Sequence, residues 1–216
     1  MGIRKIQLFT GGIFHIYSRS IAEYKIFNSM VDFFRMKDIL TYFREKKPTC
    51  FSEFSRFPDE KQQEILLFSG EKYVDIIAYC IMPTHIHLIL SQIADNGISK
   101  FIEKVLKSYS LYFNKKFKRK GTLWSGKFSN VLVANDEQLI HLTRYIHLNP
   151  VTAYLVEKPE DWKFSSYNEY LGKTNEKLCN WENYLEINPD KYKDFVEERI
   201  DYQRELQEIK HLFLEE

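Results

Sequence analysis

Two histidines two residues apart, His85 and His87, sit in the run VDIIAYCIMPTHIHLIL between Val74 and Leu90. Side chains at i and i+2 of a strand share a face. His85, His87 and Ile89 therefore point one way, and Ile86, Leu88 and Leu90 the other. Such a pair can reach one cation from one strand. On its own, H-x-H is more often a surface or core pair, so a metal reading needs a third ligand and a reactive group. Helical spacing offers candidates downstream. Tyr145 and Asn149, at i and i+4, lie on one face with Gln138 and His141. Leu139, Leu142 and Ile146 form the adjacent apolar face, so Tyr145 projects from the polar side of its helix.

The elements that must carry these residues can be read in order. IFHIYSRS after Gly11-Gly12 alternates strictly, with Phe14 and Ile16 on one face and His15, Tyr17 and Arg19 on the other: a half-buried strand. The spacing predicts a helix over 28–47, ended by Pro48, and a short one in EKQQEILLF. Two strands follow, over about 73–81 and 85–93, turning at Met82-Pro83-Thr84. A helix from Ser99 to about Lys118 has the apolar set Ile102, Val105, Leu106, Tyr109, Tyr112 and Phe113. Phe128 to Ala134 reads as a fourth strand. Asn135 then caps the tyrosine-bearing helix, with Gln138 completing a capping-box pattern. That helix is expected to end near Asn149-Pro150, because a residue before proline avoids helical geometry. Strand, helix, strand, strand, helix, strand is the split βαβ pattern of a ferredoxin-like α+β sheet, with helices on one face and the site on the other. A C-terminal amphipathic helix is expected from about Pro189, with Tyr192, Phe195, Val196, Ile200, Leu206, Ile209 and Phe213 as its stripe.

Composition bounds the function classes. A chain of 216 residues, 44% hydrophobic and 16% aromatic, can bury a core as one domain with an extension, here 1–172 and 173–216. Its net charge of +1 hides an uneven distribution. Residues 101–130 hold eight Lys/Arg against one acid, Glu103, whereas acids outnumber bases after residue 186. The basic stretch permits an anionic partner. Three scattered cysteines, Cys50, Cys80 and Cys179, argue against a disulfide framework or a Cys-rich zinc site. With no signal-like or membrane-spanning apolar run, the expectation is a cytoplasmic chain.

The motifs together resemble one family. MPTHIHLIL resembles M-P-N-H-V-H, and RYIHLNPV resembles Y-I-x-x-N-P, of the single-tyrosine HUH transposases: the IS200-like enzymes and, more closely, their REP-associated relatives. GGIFHIYSRS followed by KIF looks like the family's opening strand. GTLWSGKFS and DWKFSSYNEYL look like its later segments, so the resemblance runs in order over 11–172. Thr84 stands where the family usually has Asn, and Lys127 where Arg is commoner, which softens a bidentate phosphate contact.

This resemblance implies a chemistry. Tyr145 would attack a DNA phosphodiester to give a 5′-phosphotyrosine, and His85, His87 and Asn149 would hold a divalent cation, Mg2+ or Mn2+. The substrate would be single-stranded DNA with hairpin ends, acted on by a monomer or homodimer. Arg19, Lys115, Lys116, Lys118, Arg119, Lys120, Lys127 and Arg144 are the expected phosphate contacts, and Trp124 could stack on an unpaired base. Two rival readings are a domesticated protein that binds hairpin DNA without cutting it, and a metal-dependent hydrolase of small phosphodiesters.

Overall fold

The computed structural model describes residues 6–68 and 70–205. Four antiparallel strands, β1 (Ile13–Arg19), β2 (Val74–Met82), β3 (His85–Gln92) and β4 (Ser129–Leu132), lie in the order β2-β3-β1-β4. This is the expected α+β sheet. Helices α1 (Met30–Phe43) and α4 (Gly97–Lys116) cover one face. Between them in sequence lie two short helices, α2 (Phe51–Phe54) and α3 (Asp59–Leu67).

Each cover has a local cause. Helix α1 starts where Ser29 and Asp32 form a capping box, and Asp32 also takes hydrogen bonds from Tyr112 (2.8 Å) and Lys116 (2.6 Å) on α4. Burial pushes the Asp32 carboxyl up, but the bonds from Lys116, Tyr112, Ser29 and the Asn28 N–H outweigh it and hold the group below its ordinary range. One carboxylate thus caps α1 and fastens it to α4. Beneath them, Phe14, Ile16, Ile86, Leu88 and Leu90 meet Met36, Ile39, Leu40, Phe101, Val105 and Tyr109.

The opposite face is only partly free. Every residue of β2 is buried: the strand is apolar on both sides except for Asp75, whose carboxylate is paired with Lys72, Asn180 Nδ2 and the Tyr184 hydroxyl. A bulge between Ile76 and Ala78 lets Ile76, Tyr79 and Ile81 face the first core while Ile77, Ala78, Cys80 and Met82 face a second. Helices α5 (Asp136–Thr152), α6 (Tyr167–Tyr170) and α7 (Pro189–Glu197) supply that second core. The site face expected to stand open is therefore shared with three helices. The chain after residue 172 joins the same cores, Leu178 and Cys179 the first, Leu185, Tyr192 and Val196 the second. Leu206, Ile209 and Phe213 of the expected stripe lie outside the described residues.

Helix α5 runs through Pro150 to Thr152 rather than stopping at Asn149. Proline here sits in the last turn, where Leu148, Pro150 and Val151 are buried, and packing overrides the local preference. The N–H that Pro150 lacks is replaced in part by the Asn149 side-chain amide, which donates to the carbonyls of Tyr145 (2.9 Å) and Ile146 (3.5 Å). At the other end Asn135 Oδ1 accepts the Gln138 N–H, and Gln138 Oε1 accepts the Ala134 N–H. The reciprocal cap forms one residue earlier than the standard box.

Helix α5 is seated by His147, which is fully buried. Its Nδ1 pairs with the Tyr192 hydroxyl of α7 at 2.8 Å and its Nε2 with Ser166 Oγ at 2.7 Å. Tyr192 also donates to Thr143 Oγ1 (2.9 Å). Tyr192→Phe leaves buried polar atoms short of a partner, so unfolding free energy should fall by about 1–3 kcal/mol. Urea denaturation measures this; an unchanged midpoint would remove the hydroxyl from the account.

Candidate functional site

Strand pairing brings the polar residues together. In the β1–β3 ladder Arg19 lies opposite His85, Tyr17 opposite His87 and His15 opposite Ile89. The hairpin tip that carries His85 is fixed from below, since Pro83 O accepts from Ile26 and Phe27 and Thr84 O from Ser20. One face of two neighbouring strands thus presents His15, Tyr17, Arg19, His85 and His87.

Each histidine has one nitrogen occupied. His87 Nδ1 is 2.9 Å from His15 Nε2, with the two rings stacked at 5.2 Å. His85 Nδ1 is 2.9 Å from Thr84 Oγ1. The rings of His85 and His87 stand edge to face at 5.0 Å. With Nδ1 engaged in both, Nε2 is the nitrogen each has left to offer a cation. Sequence reasoning placed His15 on this face without a role, and treated Thr84 only as a neighbour. Both orient a candidate ligand. The alternation of FHIYSR puts His15 on the face, but which imidazole it meets depends on the register between strands.

The tyrosine faces this group. Tyr145, on α5, is 40% exposed, and its ring meets His87 edge-on at 6.0 Å and His15 at 6.4 Å. Asn149, one turn further along, spends its amide N–H groups on the Tyr145 and Ile146 carbonyls, which leaves Oδ1 as its remaining acceptor.

Burial sets the electrostatics. It lowers the His15 and His85 pKa to about 4, with Arg19 adding to the effect on His85. His87 is lowered further, by burial first and then by His85, His15 and Arg19. The imidazoles are therefore neutral at pH 7, as ligands must be. Burial raises the Tyr145 pKa; Arg19 opposes this and Tyr17 adds to it. Among the described residues no group of three His, Cys, Asp or Glu could hold a metal. Two neutral imidazoles with an amide oxygen, the set expected from the sequence, are donors whose chemistry would suit a cation such as Mg2+ or Mn2+.

The expected nucleic-acid contacts divide. Arg19 adjoins the histidines and makes only a loose, exposed pair with Glu23 at 3.7 Å. Lys127 is exposed in the loop whose Ser125 N–H donates to Arg19 O, beside the same end of β1. Lys115 and Lys116 lie on the helical side of the sheet, away from the histidines. Lys118 and Lys120 are exposed in the turn after α4, whereas Arg119 builds that turn by donating to Thr122 O and Asn114 Oδ1. Two expectations are corrected. Trp124 is 8% exposed and its indole donates to Leu106 O, so its ring packs in the core rather than standing out as a stacking platform. Arg144 lies 4.1 Å over the Phe195 ring and donates to Phe195 O and His141 Nδ1, which makes it a bracket between α5 and α7.

Comparison with known proteins bears on this geometry. Residues 59–149 match the family model described as "Transposase IS200 like". A Haemophilus influenzae protein described as a REP-associated tyrosine transposase is 31% identical over 106 residues, covering 44% of this chain and 59% of that one. The match thus spans under two thirds of the relative's length. A solved REP-associated tyrosine transposase bound to a REP hairpin superposes with a TM-score of 0.57 at 15% identity, covering 87% of this chain and 99% of that chain, a likeness of fold. No described helix is long and apolar enough to cross a membrane.

The depressed histidine pKa values predict a pH response. His15 and His85 near 4, and His147 near 3, lie below the unfolded value of 6.5. Between pH 6.5 and about 4 the unfolded chain takes up protons that the folded chain refuses, so these groups lower stability as pH falls through that window. Their ring C–H resonances should not titrate between pH 5.5 and 8. A midpoint near 6.5 for any of them would contradict its burial.

Proposed function

We propose that this chain, whose residues 59–149 match the IS200-like transposase family model, cuts and rejoins single-stranded DNA through Tyr145. The observation that carries the reading is the approach of the Tyr145 ring to His87 at 6.0 Å, across from two neutral imidazoles with free Nε2 atoms. The hairpin bound by the structural relative supports DNA with hairpin ends as the substrate class.

Tyr145 Oη would attack the phosphorus of a phosphodiester. An O–P bond to tyrosine forms as its phenolic proton passes to solvent, the bond to the 3′ oxygen breaks, and that oxygen takes a proton from solvent to leave as a 3′-hydroxyl while the 5′ side stays as phosphotyrosine. The ester conserves the bond energy, so the reverse attack by a 3′-hydroxyl reseals a strand without ATP. A phenol with a pKa of about 10 is mostly protonated at neutral pH, and burial makes ionisation harder still. Arg19 works in the opposite sense: its charge lowers the Tyr145 pKa and would also favour a bound phosphate. Lys127, at the same end of β1, would hold the strand. His85 and His87 through Nε2 and Asn149 through Oδ1 would bind Mg2+ or Mn2+. A cation held there would supply polarisation of the phosphate and stabilisation of charge on the leaving oxygen. Thr84 and His15 would fix which nitrogen each ligand presents.

Incubation with Mn2+ and labelled single-stranded hairpin DNA should give a covalent adduct on a denaturing gel, and Tyr145→Phe should abolish it. An adduct that survives Tyr145→Phe would sink the assignment. Separately, His15→Leu should weaken Mn2+ binding about 10–100-fold, followed by Mn2+ electron paramagnetic resonance without DNA. His15→Gln, which keeps a hydrogen-bonding side chain, should recover part of the loss. Equal affinity in all three proteins would leave His15 without an orienting role.

A further inference from the structure

Tyr17 shares the histidine face, yet the reaction described above gives it no part. It lies between His15 and Arg19 on β1, half-buried, and opposite His87 on β3. Its ring is tilted against His15 at 5.7 Å and against His87 at 6.2 Å. Tyr145 meets the same two imidazoles edge-on, at 6.4 Å and 6.0 Å. One phenol thus arrives from the sheet and the other from α5, and both converge on one pair of rings. Helix α5 packs over β2 and β3, while Ser129 and Val131 on β4 are exposed, so a DNA strand can reach Tyr17 from the β4 side.

The Tyr17 hydroxyl is also uncommitted, with no hydrogen-bond partner among the described residues. Its polar neighbours are engaged. His15 Nε2 is paired with His87, Thr84 Oγ1 with His85, and the Asn149 amide N–H groups with helix carbonyls. Arg19 holds only its loose pair with Glu23. On β1 and β3 this leaves one guanidinium and one neutral hydroxyl as donors for a phosphate placed at Tyr145. Ser129, opposite Tyr17 on β4, stands one strand further from His87. A phenol supplies a single O–H donor. Beside a place for a cation, a neutral donor adds a hydrogen bond without the repulsion that another ammonium would bring.

We propose that the Tyr17 hydroxyl donates a hydrogen bond to a non-bridging oxygen of the phosphodiester that Tyr145 attacks. The inference rests on the cutting reading and adds to it a residue that touches the substrate. No bond to Tyr17 forms or breaks. As Tyr145 Oη closes on phosphorus, charge gathers on the non-bridging oxygens, and a donor already aimed at them holds them more strongly. The ring contacts with His15 and His87 fix where that hydroxyl points. Arg19, two residues along the same face, acts on the phosphate through its charge, and Tyr17 through the direction of one O–H.

Tyr17→Phe keeps the ring and removes a hydroxyl that has no partner in the fold, so its urea midpoint and its Mn2+ affinity should match the parent's. With Mn2+ and saturating hairpin DNA, the single-turnover rate of Tyr145 adduct formation should fall about 10–100-fold. A second readout needs neither metal nor turnover. The cut position is first mapped from the Tyr145 adduct, and hairpin DNA is then made with one methylphosphonate, of either configuration, at that phosphate. Fluorescence anisotropy in metal-free buffer compares its binding with that of the unmodified DNA. For one configuration the parent should lose about tenfold more affinity than Tyr17→Phe loses. Equal losses in the two proteins for both configurations overturn the contact, even where adduct formation slows. An unchanged rate in Tyr17→Phe likewise overturns it while the cutting reading stands. A parent that forms no Tyr145 adduct removes the cutting reading and this inference with it.

Discussion

The orientation of α5 depends on one buried imidazole. His147 has no exposed surface, and both its nitrogens are used, one by Tyr192 and one by Ser166. A buried polar group must find partners or cost stability, so α5 has one favourable seating against α6 and α7. Tyr145 and Asn149 lie within a helical turn of His147 and inherit that seating. Ser166 extends the link into the sheet, since it also bonds the Tyr79 backbone. The nucleophile candidate and the β3 histidines are thus held by separate elements that meet through the second hydrophobic core rather than through direct bonds.

The same sheet divides two electrostatic environments. On one face burial keeps His15, His85 and His87 uncharged. On the other, α4 displays lysines in water. The sheet thus keeps the α4 ammonium groups on the side opposite the neutral imidazoles.

Much of this was legible from periodicity. Alternation in FHIYSR and HIHLIL assigned each side chain to its face, and i, i+4 spacing placed Tyr145 with Asn149. What stayed hidden depends on partners distant in sequence. The His15–His87 pair needs the strand register. His147 reads as an ordinary helix residue until Tyr192, far along the chain, meets it. Trp124 and Arg144 were assigned by side-chain type, and type does not report burial: the indole had a core to fill and the guanidinium a ring to cover. Pro150 misled because a rule for isolated dipeptides was applied where the burial of Leu148, Pro150 and Val151 outweighs it.

The long apolar strand β2 lies at the margin of its sheet, a position that ordinarily invites edge-to-edge aggregation. Here later chain closes it off. Ile81 N–H donates to Phe164 O, Ser166 N–H to Tyr79 O and Asn180 N–H to Ile76 O, while Trp162 and Tyr170 side chains donate to Ile81 O and Ile77 O. An irregular segment therefore does the work of a fifth strand without offering a new edge of its own. The strand most prone to recruit another molecule is sealed along these positions, and its hydrophobic margin is satisfied from within the same chain.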